Sequence, residues 1–444
     1  MQMTRDAKAT AAIMRKMSVE RHKGGIQYLN YPNANRTILV SSHIWWTDVI
    51  AYALHTLGFN VMLTGPMYEF YTRDSFFDDF DNQFHGWAKT IREKNVDLIL
   101  SGNSTAMVMH PETKQMLHDT AGVPLVNYWW DEPRSRPPMM DRGLTYTDYL
   151  TALRSPTTMN VFWDREIREE MDQVFGVTNG VHVPLGTVPE WFGCPMNPSS
   201  IADRRWDISF VGNHYPGTPG SNETEWQAAA RRAGELRAQD LDRSVADCVR
   251  EVAGESETQA AFFELGDESE ESIARAFRSW STVNLGLNTL RDEIVKSLVE
   301  RFGNRMLLVG RFWDELGIQT HSDSMLGEET ATAYGDAKLS LNLFGGCCHS
   351  GMPLRPFDTA TCHGLIFSLY NKELPDLYEL NRECVAFRNI QEMHSLIDRV
   401  LARPAYFDRI VAAGRQRTMT QHTWMHRLTA IMHEATSRFD VSWR

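Results

Sequence analysis

The sequence lacks an excess of positive charge. It contains 45 Lys and Arg residues against 57 Asp and Glu residues, which gives a formal net charge of -12 at pH 7. A protein that binds duplex nucleic acid presents a large surface that neutralises phosphates, so this balance argues against such a partner. An anionic ligand is therefore expected in a local pocket.

Long apolar runs are also missing. No stretch approaches the roughly 18 apolar residues of a membrane-spanning helix, and the N-terminal segment has no unbroken apolar core of the kind found in signal peptides. We therefore expect a cytoplasmic protein without a membrane span. The chain has 444 residues, more than one hydrophobic core usually fills, so two domains are expected.

Cysteine is scarce, with six residues in the chain. Without a secretory context, reduced thiols are expected rather than disulfides. Cys347 and Cys348 stand side by side in "FGGCCHSGMP", close to His349, which raises the alternative of a zinc site. Adjacent cysteines do not easily both face one tetrahedral centre, and no C-x2-C spacing is present, so we expect no metal.

Apolar runs alternate with helix-period stretches along most of the chain. The first series begins at "RTILVSS" and continues to "VHVPLG", and a second begins at "WDISFVGNHYPG" and continues through "RMLLVGRFWDELG" and "AKLSLNLFGG". This alternation predicts parallel sheets with helices on both faces. The expected fold class is α/β, with two Rossmann-like domains facing across a cleft and a helical insertion in the second domain.

Composition also suggests where the domains meet. A stretch rich in Pro, Gly and Ser separates the two series, and a polar stretch rich in Ala, Arg and Glu interrupts the second. We place an N-terminal domain at residues 1–190, a linker at 191–205 and a C-terminal domain at 206–425 with the helical insertion at about 218–298. Residues 426–444 are expected to form a helix that returns to the N-terminal domain.

Ligands of open parallel sheets collect where the carboxyl ends of the strands face a crevice. In the C-terminal domain, Arg355 directly precedes "PFDTATCHG", which reads as a helix opened by proline. Free N–H groups at such a helix start, together with Arg355, would stabilise a diphosphate. Asp358 in the first turn fits two roles equally well, a partner for sugar hydroxyls or a carboxylate that merely favours the helix dipole.

The segment "LNLFGGCCHSGMPLRPFDTATCHGLIFSLYNKELPDLYELNRECVAF" resembles the donor-binding region of the spore-maturation-protein (CgeB-like) glycosyltransferases, which are related to the group 1, or family 4, glycosyltransferases. The shared pattern is an L-N strand, a glycine-containing loop, an R-x-F-E helix start and a helix of small residues that ends in Gly. Further matches, in the expected order, are "WWDEP", "FVGN", "LLVGR" and the closing "AAGRQRTMTQHTWMHRL".

The resemblance implies the GT-B arrangement of two Rossmann-like domains and the metal-independent transfer of a sugar from a nucleotide-diphosphate-sugar. The acceptor would be a hydroxyl group of a glycan, a protein or a small molecule. By the same resemblance, Arg355 and Arg311 would face the diphosphate, and Asp358 would stand where the family has a glutamate at the nucleotide ribose. The other donor-binding positions would be His349, Gly212, Asn213, Gly346 and Phe357.

Two departures and several alternatives remain open. Asp358 is one methylene shorter than the family's glutamate, and Ser350 stands where related families often carry a further acid. If the reaction inverts the anomeric centre, a general base is needed, and Asp131 or His43 could serve; a retaining reaction would not need a base in the same place. A nucleotide-sugar epimerase or hydrolase, or a noncatalytic binding protein, are the competing functions.

Overall fold

The computed structural model describes residues 26–41, 46–65, 67, 79–134, 143–192, 198–215, 224–253, 265, 268–323, 328–345 and 348–440. His43, Gly346 and Cys347 lie outside these ranges. The described residues fall into two compact units. The chain passes from the first unit to the second between Pro184 and Leu185. It returns to the first unit for residues 260–281 and again from Trp424 onward. The division thus falls just before the linker that composition predicts.

The first unit is built on a seven-stranded sheet with the order β1-β3-β2-β4-β5-β6-β7. All neighbouring strands are parallel except β1, which runs antiparallel to β3. The strands are β1 Gln27–Leu29, β2 Thr37–Ser41, β3 Asn60–Thr64, β4 Val96–Gly102, β5 Leu125–Trp129, β6 Thr158–Phe162 and β7 Gly180–His182.

The central strands of this sheet are buried along their whole length, as "LVNYW" in β5 and "TMNVF" in β6 show. Parallel strands covered on both faces have this near-continuous apolar pattern. The helices of the unit are α1 Trp46–Thr56, α2 Phe80–Glu93, α3 Leu117–Ala121, α4 Tyr146–Arg154 and α5 Arg165–Gln173. The C-terminal helix α14 Trp424–Phe439 belongs to this unit, where it packs on α1.

The second unit is built on a five-stranded sheet in which every neighbouring pair is parallel, with the order β12-β11-β10-β8-β9. Its strands are β8 Trp206–Val211, β9 Met306–Val309, β10 Ala337–Asn342, β11 Ile366–Leu369 and β12 Val385–Phe387. The α/β class with two parallel-sheet, Rossmann-like domains, predicted from the alternation of elements, is confirmed.

Helices follow or precede each strand of the second sheet. They are α6 Glu225–Gln239, α7 Val245–Ala253, α8 Glu270–Phe302, α9 Glu328–Gly335, α10 Arg355–Thr361, α11 Leu374–Leu377, α12 Ile390–Ala402 and α13 Asp408–Gln421. The stretch predicted to be a helical insertion contains α6, α7 and most of α8, a helix of 33 residues. Within the described part of the chain, no helix is both long and apolar enough to cross a membrane.

Candidate functional site

The loops after β8 and β9 are joined by hydrogen bonds at the carboxyl edge of the second sheet. The Gly212 N–H donates to the Val309 carbonyl at 2.9 Å, and the His214 N–H donates to the Arg311 carbonyl at 3.0 Å. The Asn213 side chain adds a third bond, because its Oδ1 accepts the Arg311 N–H at 2.9 Å. Gly212 and Asn213, both predicted from the sequence, thus shape a rigid turn.

Two glycines allow these loops to approach one another. Gly310 has φ +147°, and a Cβ at this position would lie 2.1 Å from the Gly212 carbonyl oxygen. A Cβ on Gly212 would lie 2.6 Å from Nη2 of Arg291 and 2.9 Å from Cζ of Phe210. A side chain at Gly310 would therefore force the two loops apart, and one at Gly212 would displace the Arg291 guanidinium and the Phe210 ring.

Arg291, from α8, provides a buried positive charge at this edge. Only 6% of the residue is exposed, and its guanidinium donates to the Asn213 carbonyl. Its Cζ lies 5.3 Å from the ring centroid of Phe210 and 5.0 Å from that of Tyr215. Its Nη1 is 3.7 Å from where a Cβ on Gly345 would lie, so the cation also reaches the loop after β10.

Arg355, the first residue of α10, is a second cation in the same place. Burial would lower the pKa of its guanidinium, but its interactions with Tyr334 and Asp358, and also with Tyr215, raise the pKa above its ordinary value. Arg355 is therefore charged at every accessible pH. Tyr215, which is 51% exposed, has its ring centroid 5.0 Å from the Arg291 guanidinium carbon and interacts electrostatically with Arg355, so both cations lie near this residue.

The prediction of free N–H groups at the start of α10 is wrong. Pro356 has no N–H, and the N–H groups of Phe357 and Asp358 both donate to the Leu354 carbonyl, at 3.1 and 3.3 Å. The helix has only seven residues, so its dipole is also short. Positive charge at this edge comes from arginine side chains and not from the helix start.

Asp358 lies beneath the surface, with 3% of the residue exposed. Its Oδ1 accepts a hydrogen bond from the Thr187 hydroxyl at 2.8 Å. Burial raises the pKa of the Asp358 carboxyl to about 7, although the Arg355 charge and the Thr187 hydrogen bond act in the opposite direction. The ribose contact implied by the resemblance stays a prediction.

The glycine-rich loop before α10 is anchored to the rest of the domain. The His349 carbonyl accepts a bond from Arg237 at 3.2 Å, and the Ser350 hydroxyl donates to Glu373 Oε1 at 2.6 Å. The Asn371 side chain donates to the Gly351 carbonyl at 2.9 Å. His349 is only 1% exposed, so its main contribution in this structure is to fix the loop.

The side chains of Phe357 and Arg311 make other contacts than those of Arg291 and Arg355. Phe357 is fully buried, and its ring centroid lies 6.0 Å from that of Tyr378 and 5.5 Å from that of His422, so the ring packs in the interior and supports α10. The Arg311 side chain is 61% exposed and lies 3.7 Å from Asp323, an exposed pair of little energetic weight. The backbone N–H and carbonyl of Arg311, and not its side chain, form the hydrogen bonds of the turn.

In the first unit, Asn103 holds the exposed carboxylate of Asp131 in place. Asn103 Nδ2 donates to Asp131 Oδ2 at 2.6 Å, while Asn103 Oδ1 accepts the N–H groups of Trp130 and Asp131 at 2.8 and 3.1 Å. Asn103 itself has φ 48°, a left-handed conformation that asparagine tolerates. The carboxylate follows the carboxyl end of β5, where the sequence predicts a functional residue.

Glu132, the neighbour of Asp131, has a different environment. It is 3% exposed, and its carboxylate accepts two bonds from Arg134, at 2.5 and 2.7 Å. Arg134 also donates to Glu170 at 3.0 Å and lies 4.4 Å over the Trp280 ring. This buried ion network is structural, because no part of it is open to a ligand.

A comparison with known protein families finds a match in the C-terminal part of the chain. The sequence profile of the family described as "Glycosyl transferase-like" matches residues 291–433. This part of the chain is therefore a glycosyltransferase-like domain. The match begins at Arg291 and includes Arg355 and Asp358, and it confirms the resemblance seen in the sequence for this part of the chain. A search of curated proteins found no match.

Solved glycosyltransferase structures resemble the chain over most of its length. Sucrose-phosphate synthase from Thermosynechococcus elongatus shares 11% identity, with 92% of this chain and 100% of that chain covered and a TM-score of 0.47. A glycosyltransferase from Rickettsia africae has the same identity, coverages and TM-score. HepE from Anabaena in complex with UDP-glucose shares 10% identity, with 90% of this chain and 99% of that chain covered and a TM-score of 0.47.

Four of the six cysteines lie in the described part of the chain. Cys248, Cys348, Cys362 and Cys384 are buried, and none of these four forms a disulfide. Among the residues that the structure describes, no three or more His, Cys, Asp or Glu side chains are grouped as metal ligands would be. The expectation of a metal-free site stays a prediction.

Sequence reasoning missed Arg291 and Tyr215. Tyr215 directly follows the "FVGN" turn and His214, so its position next to a predicted ligand loop could have indicated that it lies at the site. Arg291 lies in the polar region of α8, in "TLRDEIVKSLVE", where several charged residues look alike. Helical periodicity does not reveal which charged residue meets a sheet edge that is distant in sequence.

Proposed function

We propose that the protein uses a nucleotide-diphosphate-sugar donor and transfers the sugar to an acceptor hydroxyl. The diphosphate would bind at the carboxyl edge of the second sheet, between Arg291 and Arg355. The observation that carries this proposal is that Tyr215 lies near both cations, 5.0 Å from the Arg291 guanidinium carbon and within electrostatic reach of Arg355, in a protein of net charge -12. A local pair of fixed cations is what a diphosphate needs.

The two arginines suit the leaving group of a glycosyl transfer. Negative charge develops on the departing nucleoside diphosphate, and charged donors that are already fixed stabilise it without reorganisation. Guanidinium groups form paired hydrogen bonds with phosphate oxygens. Arg291 is fixed by Asn213 and two rings, so little entropy is lost when the ligand binds.

If the reaction inverts the anomeric centre, Asp131 is the proposed base for the acceptor hydroxyl. Its carboxylate is exposed and oriented by Asn103 at 2.6 Å, two properties that a general base requires. In this proposal the donor is a co-substrate and no resident cofactor takes part. The acceptor is a hydroxyl of a glycan, a protein or a small molecule.

A two-step experiment tests the proposal. First, purified protein is melted with UDP, GDP, ADP and dTDP in turn; a nucleotide that binds only the folded state raises the melting temperature. Second, release of that nucleotide from its sugar conjugates is followed with and without a mixture of hydroxyl acceptors. We expect acceptor-dependent release and a glycosylated product by mass spectrometry. If no nucleotide raises the melting temperature, the proposal is wrong; release without an acceptor would indicate a hydrolase.

A further inference from the structure

Asp358 has an unusual position for a carboxylate that would contact a ligand. It is 3% exposed and lies three residues after Arg355 on α10, so the two side chains share one helix face. The Arg355 charge favours the ionised form of the Asp358 carboxyl. An interior carboxylate next to a cation at the ligand edge is placed to orient that cation.

Thr187 fixes Asp358 from the other side. The Thr187 hydroxyl donates to Asp358 Oδ1 at 2.8 Å, and the Thr187 N–H donates to the His422 carbonyl at 3.0 Å. A backbone bridge also joins Thr187 to Thr423. Thr187 is itself 1% exposed, so the carboxyl is held by a residue that is already part of a fixed backbone.

Few other ionisable groups surround this carboxyl. Among the described residues, the ionisable groups that interact with Asp358 or its partners are Arg355 on its own helix, Tyr334 on α9, Tyr215 after β8, Cys362 just after α10 and His422 before α14. Tyr334 is 1% exposed and interacts electrostatically with Asp358, Arg355 and Cys362. The His422 ring packs on Phe357, and its Nε2 lies 2.9 Å from the Leu377 carbonyl. Arg355 is the one cation in this group.

We propose that Asp358 is a positioning residue that orients Arg355, that Thr187 orients Asp358, and that diphosphate binding to Arg355 takes up a proton at Asp358. This inference rests on the proposed donor site. In the free protein, Arg355 stabilises the ionised carboxyl. A bound diphosphate offsets that stabilisation, because it adds negative charge beside the carboxylate and engages the guanidinium.

The sign of the pH dependence follows from this linkage. Burial already raises the pKa of Asp358 to about 7, and a bound anion raises it further. The affinity for the anion therefore increases as the pH falls through the range from the bound-state pKa down to the free-state pKa. Each unit by which binding raises the pKa changes the affinity by about tenfold across that range.

Isothermal titration with UDP tests the proton uptake. Titrations in Tris and in HEPES between pH 6.5 and 8.5 give the number of protons bound, because the two buffers have different ionisation enthalpies. The terminal phosphate of UDP itself titrates near about pH 6, so the quantity that matters is the difference between the wild type and Asp358→Asn. We expect extra uptake in the wild type that is absent in Asp358→Asn.

Two Thr187 variants probe the chain of contacts. Thr187→Val removes the hydroxyl that favours the ionised carboxyl, so the midpoint of proton uptake should move to higher pH. Thr187→Ser keeps the hydroxyl and should restore the wild-type profile. A purely structural role of Thr187 would change the melting temperature without moving this midpoint, and that result would contradict the proposal.

A second nucleotide separates positioning from direct contact with ribose. Asn is neutral like the protonated carboxyl, so Asp358→Asn should remove the extra pH dependence and should change the affinities for UDP and 2′,3′-dideoxy-UDP by the same factor if the carboxyl acts through Arg355. A loss with UDP alone would show that Asp358 binds the ribose, and equal proton uptake by the wild type and Asp358→Asn would also overturn the proposal. If UDP and the other nucleoside diphosphates do not bind the wild type at all, the proposed function fails with it, a distinct outcome.

Discussion

Replacement of Arg291 by methionine tests the donor site most directly. Methionine keeps an unbranched stem between the rings of Phe210 and Tyr215, which lie 5.3 and 5.0 Å from the guanidinium carbon, but it removes the charge. A hydrogen bond to a charged group contributes about 1.5–3 kcal/mol. The Kd for a nucleoside diphosphate should therefore rise roughly 10- to 150-fold.

The same change has a smaller and separate effect on stability. The Asn213 carbonyl loses its charged donor, and a buried acceptor left without a partner costs about 1–3 kcal/mol. The fully folded fraction must therefore be checked by urea unfolding before affinities are compared. Titration calorimetry with UDP and UMP then gives the effect on binding, which should be larger for UDP because it carries the second phosphate.

A matched control lies ten residues further along the same helix. Arg301 makes an exposed ion pair with Asp398 at 2.6 Å, with its side chain 39% exposed, and such pairs contribute little to stability. Arg301→Met should bind UDP like the wild type. If Arg291→Met folds normally and also binds UDP like the wild type, Arg291 is not a diphosphate ligand and the reasoning is refuted.

Three further substitutions have defined outcomes. Gly310→Ala places a Cβ 2.1 Å from the Gly212 carbonyl and should lower the free energy of unfolding by more than about 1 kcal/mol; an unchanged urea midpoint would contradict the predicted loop geometry. Arg134→Met removes the guanidinium that pairs with the buried Glu132 and Glu170 carboxylates and should cost about 3–5 kcal/mol in the same assay, whereas an exposed pair would cost almost nothing. Asp131→Asn should slow sugar transfer about 10²- to 10⁴-fold with UDP affinity unchanged by calorimetry, and a normal transfer rate would exclude it as the base.

Local patterns in the sequence were sufficient for the fold class, and they pointed to the edge of the sheet where we propose the site. The apolar strands and the glycine turns at Gly212 and Gly310 are local features, because each depends on a few neighbouring residues and on backbone conformations that only some residues tolerate. The three-residue β1 was not predicted, since a short edge strand carries too little periodicity. The position of Arg355 before the helix start pointed to it, and the family resemblance implied the same role.

What the sequence alone determined, then, is the order of strands and helices, the α/β class and the turns that border the donor edge. Tertiary structure decided which side chains meet there. It brings Arg291 from a distant helix into contact with Asn213 and buries Phe357. It also places the Thr187 hydroxyl within hydrogen-bond distance of the Asp358 carboxyl, 171 residues away along the chain. The physical reason is that burial, electrostatic pairing and pKa depend on contacts between segments far apart in sequence, and local periodicity carries no information about those contacts.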